Sequence, residues 1–252
     1  MTDELLYTVT DFVAVLNINR PEKRNALSAA VVSALWQRLE EAEADTAVRV
    51  LVITGSGDKA FCAGADLMGG VGKGGTAEYA TLLKRLTRFS KPTVARVNGY
   101  CLAGGMGLML ACDIVIATDT AQFGTPEVNV GLWPMMIGAL IYRNMLPKHA
   151  APMVMLGQRF GAAEAFRMGF VSQVVSPAEL DSVVGDITAQ LAAKSPIGMK
   201  IGKEAFYAMQ TLPLAEALDY LDGKLAEVAA TQDAAEGVMA FMQKRPPQFK
   251  GV

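Results

Sequence analysis

Val97-Asn98-Gly99-Tyr100-Cys101-Leu102-Ala103-Gly104-Gly105-Met106-Gly107 is the stretch around which this chain is organised. It ends a short strand-like run, Thr93 to Val97, and leads into an apolar run, Leu108 to Cys112, that reads as a buried helix. Four glycines in so short a span mark a place where backbone comes close to something. Glycines at the mouth of a helix also leave N–H groups free, and such groups can hold an anion or a developing oxyanion. Tight packing of helix on sheet would ask for the same glycines, so this stretch alone admits both readings.

Two further stretches narrow the choice. Ala60-Phe61-Cys62-Ala63-Gly64-Ala65-Asp66-Leu67 follows another strand-like run, Val48 to Thr54, and again sets a small-residue turn before polar sequence. Two N–H donors on separate loops are what an oxyanion hole requires. Phe123-Gly124-Thr125-Pro126-Glu127-Val128 places a lone carboxylate among apolar neighbours. Such surroundings raise a glutamate's pKa toward the range useful for proton transfer near neutral pH. In this order and spacing the three stretches resemble the crotonase (enoyl-CoA hydratase/isomerase) superfamily. The resemblance runs from Arg20-Pro21-Glu22-Lys23-Arg24-Asn25-Ala26-Leu27 to Phe241-Met242-Gln243-Lys244-Arg245.

The resemblance implies an α/β fold: a crotonase-type ββα spiral core over residues 1–195 and a helical C-terminal trimerisation section over 196–252. It implies addition of water to a 2-enoyl-CoA thioester through an enolate. The backbone N–H groups of Ala65 and Gly104 would be the oxyanion donors and Glu127 the acid/base. Coenzyme A would enter as part of the substrate, with no separate cofactor. Lys23 and Arg24 lie on a turn before a helix, suited to phosphate. Ala26, Ala63, Ala65, Asp66 and Leu67 fall in the same CoA-binding set, and Lys244 and Arg245 match a family position that reaches CoA across a subunit boundary, with Phe241 beside the adenine. A homotrimer or a dimer of trimers is implied.

One departure bears on the reaction. Hydratases of the best-known type carry a second glutamate on the helix after the glycine turn, and the matching position here is Gly107. A Δ3,Δ2-enoyl-CoA isomerase, with Glu127 as a single proton shuttle between carbons, is therefore the alternative. A non-catalytic CoA-binding or RNA-binding homologue is a third possibility. Trp133-Pro134-Met135-Met136-Ile137 replaces a glycine-rich sequence common in two-glutamate hydratases and reads either as a reshaped acyl pocket or as core.

Composition bounds the rest. The chain has 252 residues, is 52% hydrophobic and 19% charged, and carries a net charge of −2, so a sizeable core is expected and disorder is not. Near-neutral charge argues against a nucleic-acid partner or an anionic membrane surface. Cys62, Cys101 and Cys112 form no CxxC pair, and Asp3 and Glu4 open a sequence without a basic-then-apolar leader, so a reduced, cytoplasmic setting is expected. His149 is the only histidine and reads as a surface or capping residue; no cluster has metal-ligand spacing. Cys62 reads as a packed thiol, Asp66 and Asp113 as turn or capping groups, and Arg245 as a solvated charge.

Along the chain, Leu5 to Ile18 reads as a hairpin turning at Asp11, and Ser28 as the N-cap of an amphipathic helix reaching Ala44. Strands are expected at Val48 to Thr54, Thr93 to Val97 and Ile114 to Ala117, and a helix from Ala77 to Ser90. This alternation predicts a largely parallel sheet. Gly69 to Gly75 contains a literal GxGxxG but does not directly follow a strand, and reads as a lid or linker. From Ala178 onward four helical patterns, 178–194, 196–210, 214–230 and 232–244, follow one another with no strand between them, and no internal repeat is visible.

Overall fold

Asp11 and Phe12 both take positive φ, 49° and 66°, and this two-residue turn closes the expected hairpin. Its strands are β1 (Leu5–Thr10) and β2 (Val13–Ile18), paired antiparallel from Leu5↔Ile18 to Thr10↔Val13. The computed structural model describes residues 4–66 and 75–252, with backbone alone for 75–77. Ser28 caps α1 (Ala29–Ala44), its hydroxyl accepting from the Val31 N–H at 3.1 Å, and Val31, Val32, Leu35 and Leu39 are buried along one stripe. In β3 (Val50–Gly55), Leu51 and Ile53 join one apolar cluster while Val50 and Val52 join another. Burial on both faces explains why that run is continuous rather than alternating.

From β3 onward the chain repeats a unit of long strand, short strand and helix. β3 leads to β4 (Ala60–Cys62) and α2 (Gly75–Thr87). β5 (Thr93–Val97) leads to β6 (Tyr100–Leu102) and α3 (Gly104–Leu110). β7 (Ile114–Thr118) leads to β8 (Gln122–Gly124), a 3-10 turn over Pro126–Val130, and α4 (Met135–Asn144). The repeat is structural and leaves no trace of self-similarity in sequence, because each unit needs only the hydrophobic pattern of its own layer. α5 (Pro147–Leu156), β9 (Arg159–Gly161), α6 (Ala162–Arg167) and β10 (Gln173–Val175) follow.

Two sheets result. The larger runs β1-β2-β3-β5-β7-β10 and is parallel beyond β2, as expected. The smaller runs β4-β6-β8-β9, with its first three strands parallel. The sequence reading missed this sheet: three-residue strands are too short to show a period. The buried helix expected at Leu108 to Cys112 begins earlier, at Gly104, and ends at Leu110. Gly105 accounts for the early start, since a Cβ there would sit 2.2 Å from the Cys62 carbonyl oxygen.

Four helices close the chain: α7 (Leu180–Ala192), α8 (Pro196–Met209), α9 (Leu214–Ala229) and α10 (Gln232–Met242), close to their expected spans. α7 lays Leu180, Val184 and Ala192 on Val50, Val52, Val94 and Ile116 of the large sheet. α8 is tied down through Asp113, which accepts from Lys203 Nζ at 2.6 Å, Tyr207 Oη at 2.9 Å and the Thr93 N–H at 2.7 Å. Asp113 is thus a structural hub, in keeping with its reading as a turn group. No helix among the described residues is long and apolar enough to cross a membrane.

The contact at Gly105 sets a test. Gly105→Ala should destabilise the fold by about 1–3 kcal/mol in urea unfolding. Gly138→Ala, where an added Cβ meets nothing within 4 Å, should be neutral or stabilising by up to about 1 kcal/mol. Equal effects at the two positions would contradict the packing described.

Candidate active site

Three neighbouring strands of the small sheet deliver the candidate residues. β4, β6 and β8 run parallel, with Cys62 opposite Cys101 and Leu102 opposite Gly124. Ala65 follows the end of β4, Gly104 the end of β6 and Glu127 the end of β8. Parallel neighbours lie about 4.8 Å apart, so the three turns emerge side by side at the carboxyl ends of their strands.

The first two turns touch. A Cβ on Gly64 (φ +100°) would meet Ala103 Cβ at 2.6 Å and the Gly104 nitrogen at 3.2 Å, so this contact requires glycine. Ala103 is held at φ 48°, ψ −124°, a conformation costly for a residue with a side chain. Its N–H donates to Gly124 O at 2.9 Å and its carbonyl accepts from Met106 N–H at 2.9 Å. Among the described residues, neither the Ala65 nor the Gly104 N–H has a backbone acceptor.

Glu127 stands in the first turn of the 3-10 segment, behind Thr125, whose buried hydroxyl donates to Met153 O at 2.8 Å. Its Oε2 is buried and has no hydrogen-bond partner among the described residues. Burial raises the carboxyl pKa above the ordinary value of 4.5, and the residue's own backbone N–H only partly offsets this. A buried carboxylate oxygen with no protein partner is suited to a proton or a water brought by a ligand.

The turn over Arg20 to Leu27 packs along the Ala65 loop. Leu27 N–H donates to Gly64 O at 2.7 Å, Asp66 N–H to Leu27 O at 2.9 Å and Ala63 N–H to Arg24 O at 3.0 Å. Lys23, Arg24, Ala26, Ala63, Ala65 and Asp66 are therefore brought into one neighbourhood, with Lys23 and Arg24 exposed. Asn25 (φ 55°) is wholly buried and locks this turn, its Nδ2 donating to Ser56 O at 3.0 Å and Ala60 O at 2.6 Å. Arg20 is buried beside it and pairs with Asp66 Oδ2 at 2.8 Å, with Lys23 Nζ at 3.7 Å from the same oxygen. Asp66 thereby holds the loop in shape. Sequence reasoning missed Asn25 and Arg20 as anchors, because nothing in the motif tells a buried polar group from a solvated one. A surface cavity of about 320 Å³ opens beside this turn, lined by Pro21, Asn25, Ser56 and Lys59 among others; it includes none of Ala65, Gly104 and Glu127.

Tyr79 of α2 was also missed, since a lone tyrosine at helical spacing reads as core. It is buried, and its hydroxyl donates to Gly104 O, at the start of α3. A Cβ at Gly107 would lie 2.5 Å from this hydroxyl and 2.6 Å from Ile137 Cγ2. In the Trp133–Ile137 stretch, Ile137 is core, whereas Trp133 and Met135 are exposed.

Cys62 is a packed thiol, fully buried, with its pKa pushed up by burial to about 12. His149 is not a plain surface residue: it is half-buried on α5, its Nδ1 buried and without a partner among the described residues. Phe241 and Lys244 lie at the end of α10, whose main contacts are with α8 and α9, and Phe241 is 85% exposed. Arg245 is paired rather than simply solvated, its Nη1 2.6 Å from Glu236 Oε1. Leu67 and the glycine run at 69–74 lie outside the described residues.

Comparison with known proteins bears on what this arrangement is. The profile of the enoyl-CoA hydratase/isomerase family matches residues 8–252. The chain belongs to the enoyl-CoA hydratase/isomerase family. It is 37% identical to the 2,3-dehydroadipyl-CoA hydratase of Escherichia coli (strain K12) over 98% of this chain and 99% of that one. It is 34% identical to the carnitinyl-CoA dehydratase of the same strain, over the whole of both chains. A crystal structure of enoyl-CoA hydratase from Bacillus anthracis superposes with a TM-score of 0.95 at 30% identity, covering 99% of this chain and 100% of that one. The fold is therefore that of the crotonases, and the chain is an enzyme of the enoyl-CoA hydratase/isomerase family, whose relatives named here are a hydratase and a dehydratase. The family implies an acyl-CoA thioester substrate.

The raised pKa of Glu127 has a measurable sign. Its neutral form is favoured by folding, so that contribution is present below the unfolded value of 4.5 and is lost as pH rises through the raised folded value. Glu127→Gln, which cannot ionise, should gain thermal stability relative to the parent chain between about pH 4 and about pH 8. A difference that is flat or shrinks over that range would contradict the burial of this carboxyl.

Proposed function

We propose that the chain is an enoyl-CoA hydratase that adds water across the double bond of a 2-enoyl-CoA thioester. Ionised Glu127 takes a proton from water as the water oxygen bonds to C3. The C2=C3 electron pair moves onto the thioester, and the charge on its oxygen is held by the N–H groups of Ala65 and Gly104. Protonated Glu127 then returns the proton to C2. One preplaced donor of this kind is typically worth about 3 kcal/mol, because it acts where charge develops. The observation that carries the reading is the buried Oε2 of Glu127, without a partner among the described residues, in the 3-10 segment after β8, the strand paired with the β6 that leads to the Gly104 turn. The names of the relatives support it.

A second reading rests on Gly107. With no side chain there to serve as a second carboxylate, Glu127 could instead carry a proton from C2 to C4 of a 3-enoyl thioester, as a Δ3,Δ2-enoyl-CoA isomerase. In either case coenzyme A belongs to the substrate, with its phosphates met by Lys23 and Arg24 and its adenine end by the loop carrying Ala26, Ala63, Ala65, Asp66 and Leu67. We further propose a trimer or a dimer of trimers built through the helical section. The exposed Leu214, Leu218, Leu225, Phe241 and Met242 support this. In such an assembly Phe241 and Lys244 would serve a neighbour's CoA site. Three free, buried thiols fit a cytoplasmic setting.

The two reactions move absorbance at the conjugated enone band in opposite directions. Purified protein should deplete that band with crotonyl-CoA. Glu127→Gln should lower the rate on the order of 10²–10⁴-fold. A gain of the band from a 3-enoyl-CoA, without hydration of crotonyl-CoA, would favour the isomerase. Full activity of Glu127→Gln on both would remove Glu127 from the mechanism.

A further inference from the structure

The side chain nearest this machinery to which nothing above gives a role is Tyr79. Its hydroxyl donates to the Gly104 carbonyl, at the first residue of α3. The phenol thus reaches from α2 to a backbone oxygen in the first turn of α3. Burial, together with the nearby Cys62, Cys101 and Glu127, pushes its pKa well up, so the hydroxyl stays protonated and can donate throughout the working range.

What this hydrogen bond fastens is a stressed piece of backbone. Ala103, immediately before Gly104, is kept at φ 48°, ψ −124°. Such a conformation persists only where its surroundings over-determine it. Besides the helical bonds of α3 itself, the segment Ala103–Gly104 is restrained by the Ala103 N–H to Gly124 O bond, the Met106 N–H to Ala103 O bond and the Tyr79 hydroxyl on Gly104 O. Of these only the last comes from a side chain. Without it, the cheapest relaxation is rotation about Ala103, which swings the Gly104 N–H.

We propose that Tyr79 is a positioning residue for the reaction: its hydroxyl, bonded to Gly104 O, keeps the Gly104 N–H aimed at the thioester oxygen. The inference rests on the reading of Gly104 as an oxyanion donor. It also gives Gly107 a physical reason. The space a side chain at 107 would take is filled by the Tyr79 hydroxyl and Ile137 Cγ2, so a second carboxylate and this anchor exclude one another.

The test is spectroscopic. A cinnamoyl-CoA thioester bearing a para-dimethylamino group absorbs further to the red as its carbonyl is polarised, and serves as the probe. Bound to the unmutated enzyme it should show a red shift, and bound to Tyr79→Phe a clearly smaller one. With crotonyl-CoA, kcat of Tyr79→Phe should fall about tenfold while KM stays within about twofold. Gly107→Ala presses on the same hydroxyl without removing it and should act in the same direction, which keeps the test alive if Tyr79→Phe does not fold. The double variant should lose less than the product of the two single effects, because one of the two atoms that a Cβ at 107 crowds is already gone. A red shift in Tyr79→Phe equal to that of the unmutated enzyme overturns the role of Tyr79 while leaving the donor pair standing. No red shift in the unmutated enzyme overturns the donor pair, and this inference with it.

Discussion

The parallel pairing of β4, β6 and β8 is the constraint on which everything else depends. Each of these strands has only three residues, yet each ends at a turn that carries one candidate group. Ladder spacing sets the separation of those turns before any side chain is chosen. Two main-chain amides and one carboxylate thus come from three successive repeats of the same unit, and their relative placement is a property of the sheet. The long strands behind them, buried on both faces, make that sheet rigid.

Close approach of the first two turns asks for specific residues. Glycine at 64 lets the Ala65 loop lie against Ala103, and glycine at 105 lets α3 sit on Cys62 O. The strain at Ala103 is the counterpart of this compactness. Asn25, Arg20 and Asp66 fasten one loop to another, and Thr125 is bonded to Met153 O. Among the described residues three buried side-chain polar atoms have no partner, Asn98 Oδ1, His149 Nδ1 and Glu127 Oε2, and only the last belongs to a carboxyl group. A buried acid held on a fastened scaffold with one oxygen open is suited to receive a ligand group.

Much of this was legible in sequence, and for identifiable reasons. The hairpin, α1, the strands at Thr93 and Ile114 and the C-terminal helices follow from periodicity, a serine cap and a tight turn. The glycine run and the isolated glutamate were legible as candidates because their chemistry is local. The small sheet was not, since three residues carry no period. Nor was Tyr79, whose importance lies in reaching the Gly104 turn from a different helix. Likewise, Asn25 and Arg20 are buried only because β3, β4 and the Ala65 loop close over them. Local pattern is readable; which distant backbone a polar side chain will meet is set by the tertiary fold.

Two backbone amides from adjacent turns should converge on one thioester oxygen, with the acid beside its α-carbon. A crystal structure of the protein with a saturated acyl-CoA bound is the decisive check. The thioester oxygen is expected within about 2.7–3.1 Å of both the Ala65 and Gly104 nitrogens, with Glu127 facing C2. A thioester oxygen pointing away from either amide, or a C2 out of reach of Glu127, would contradict this arrangement.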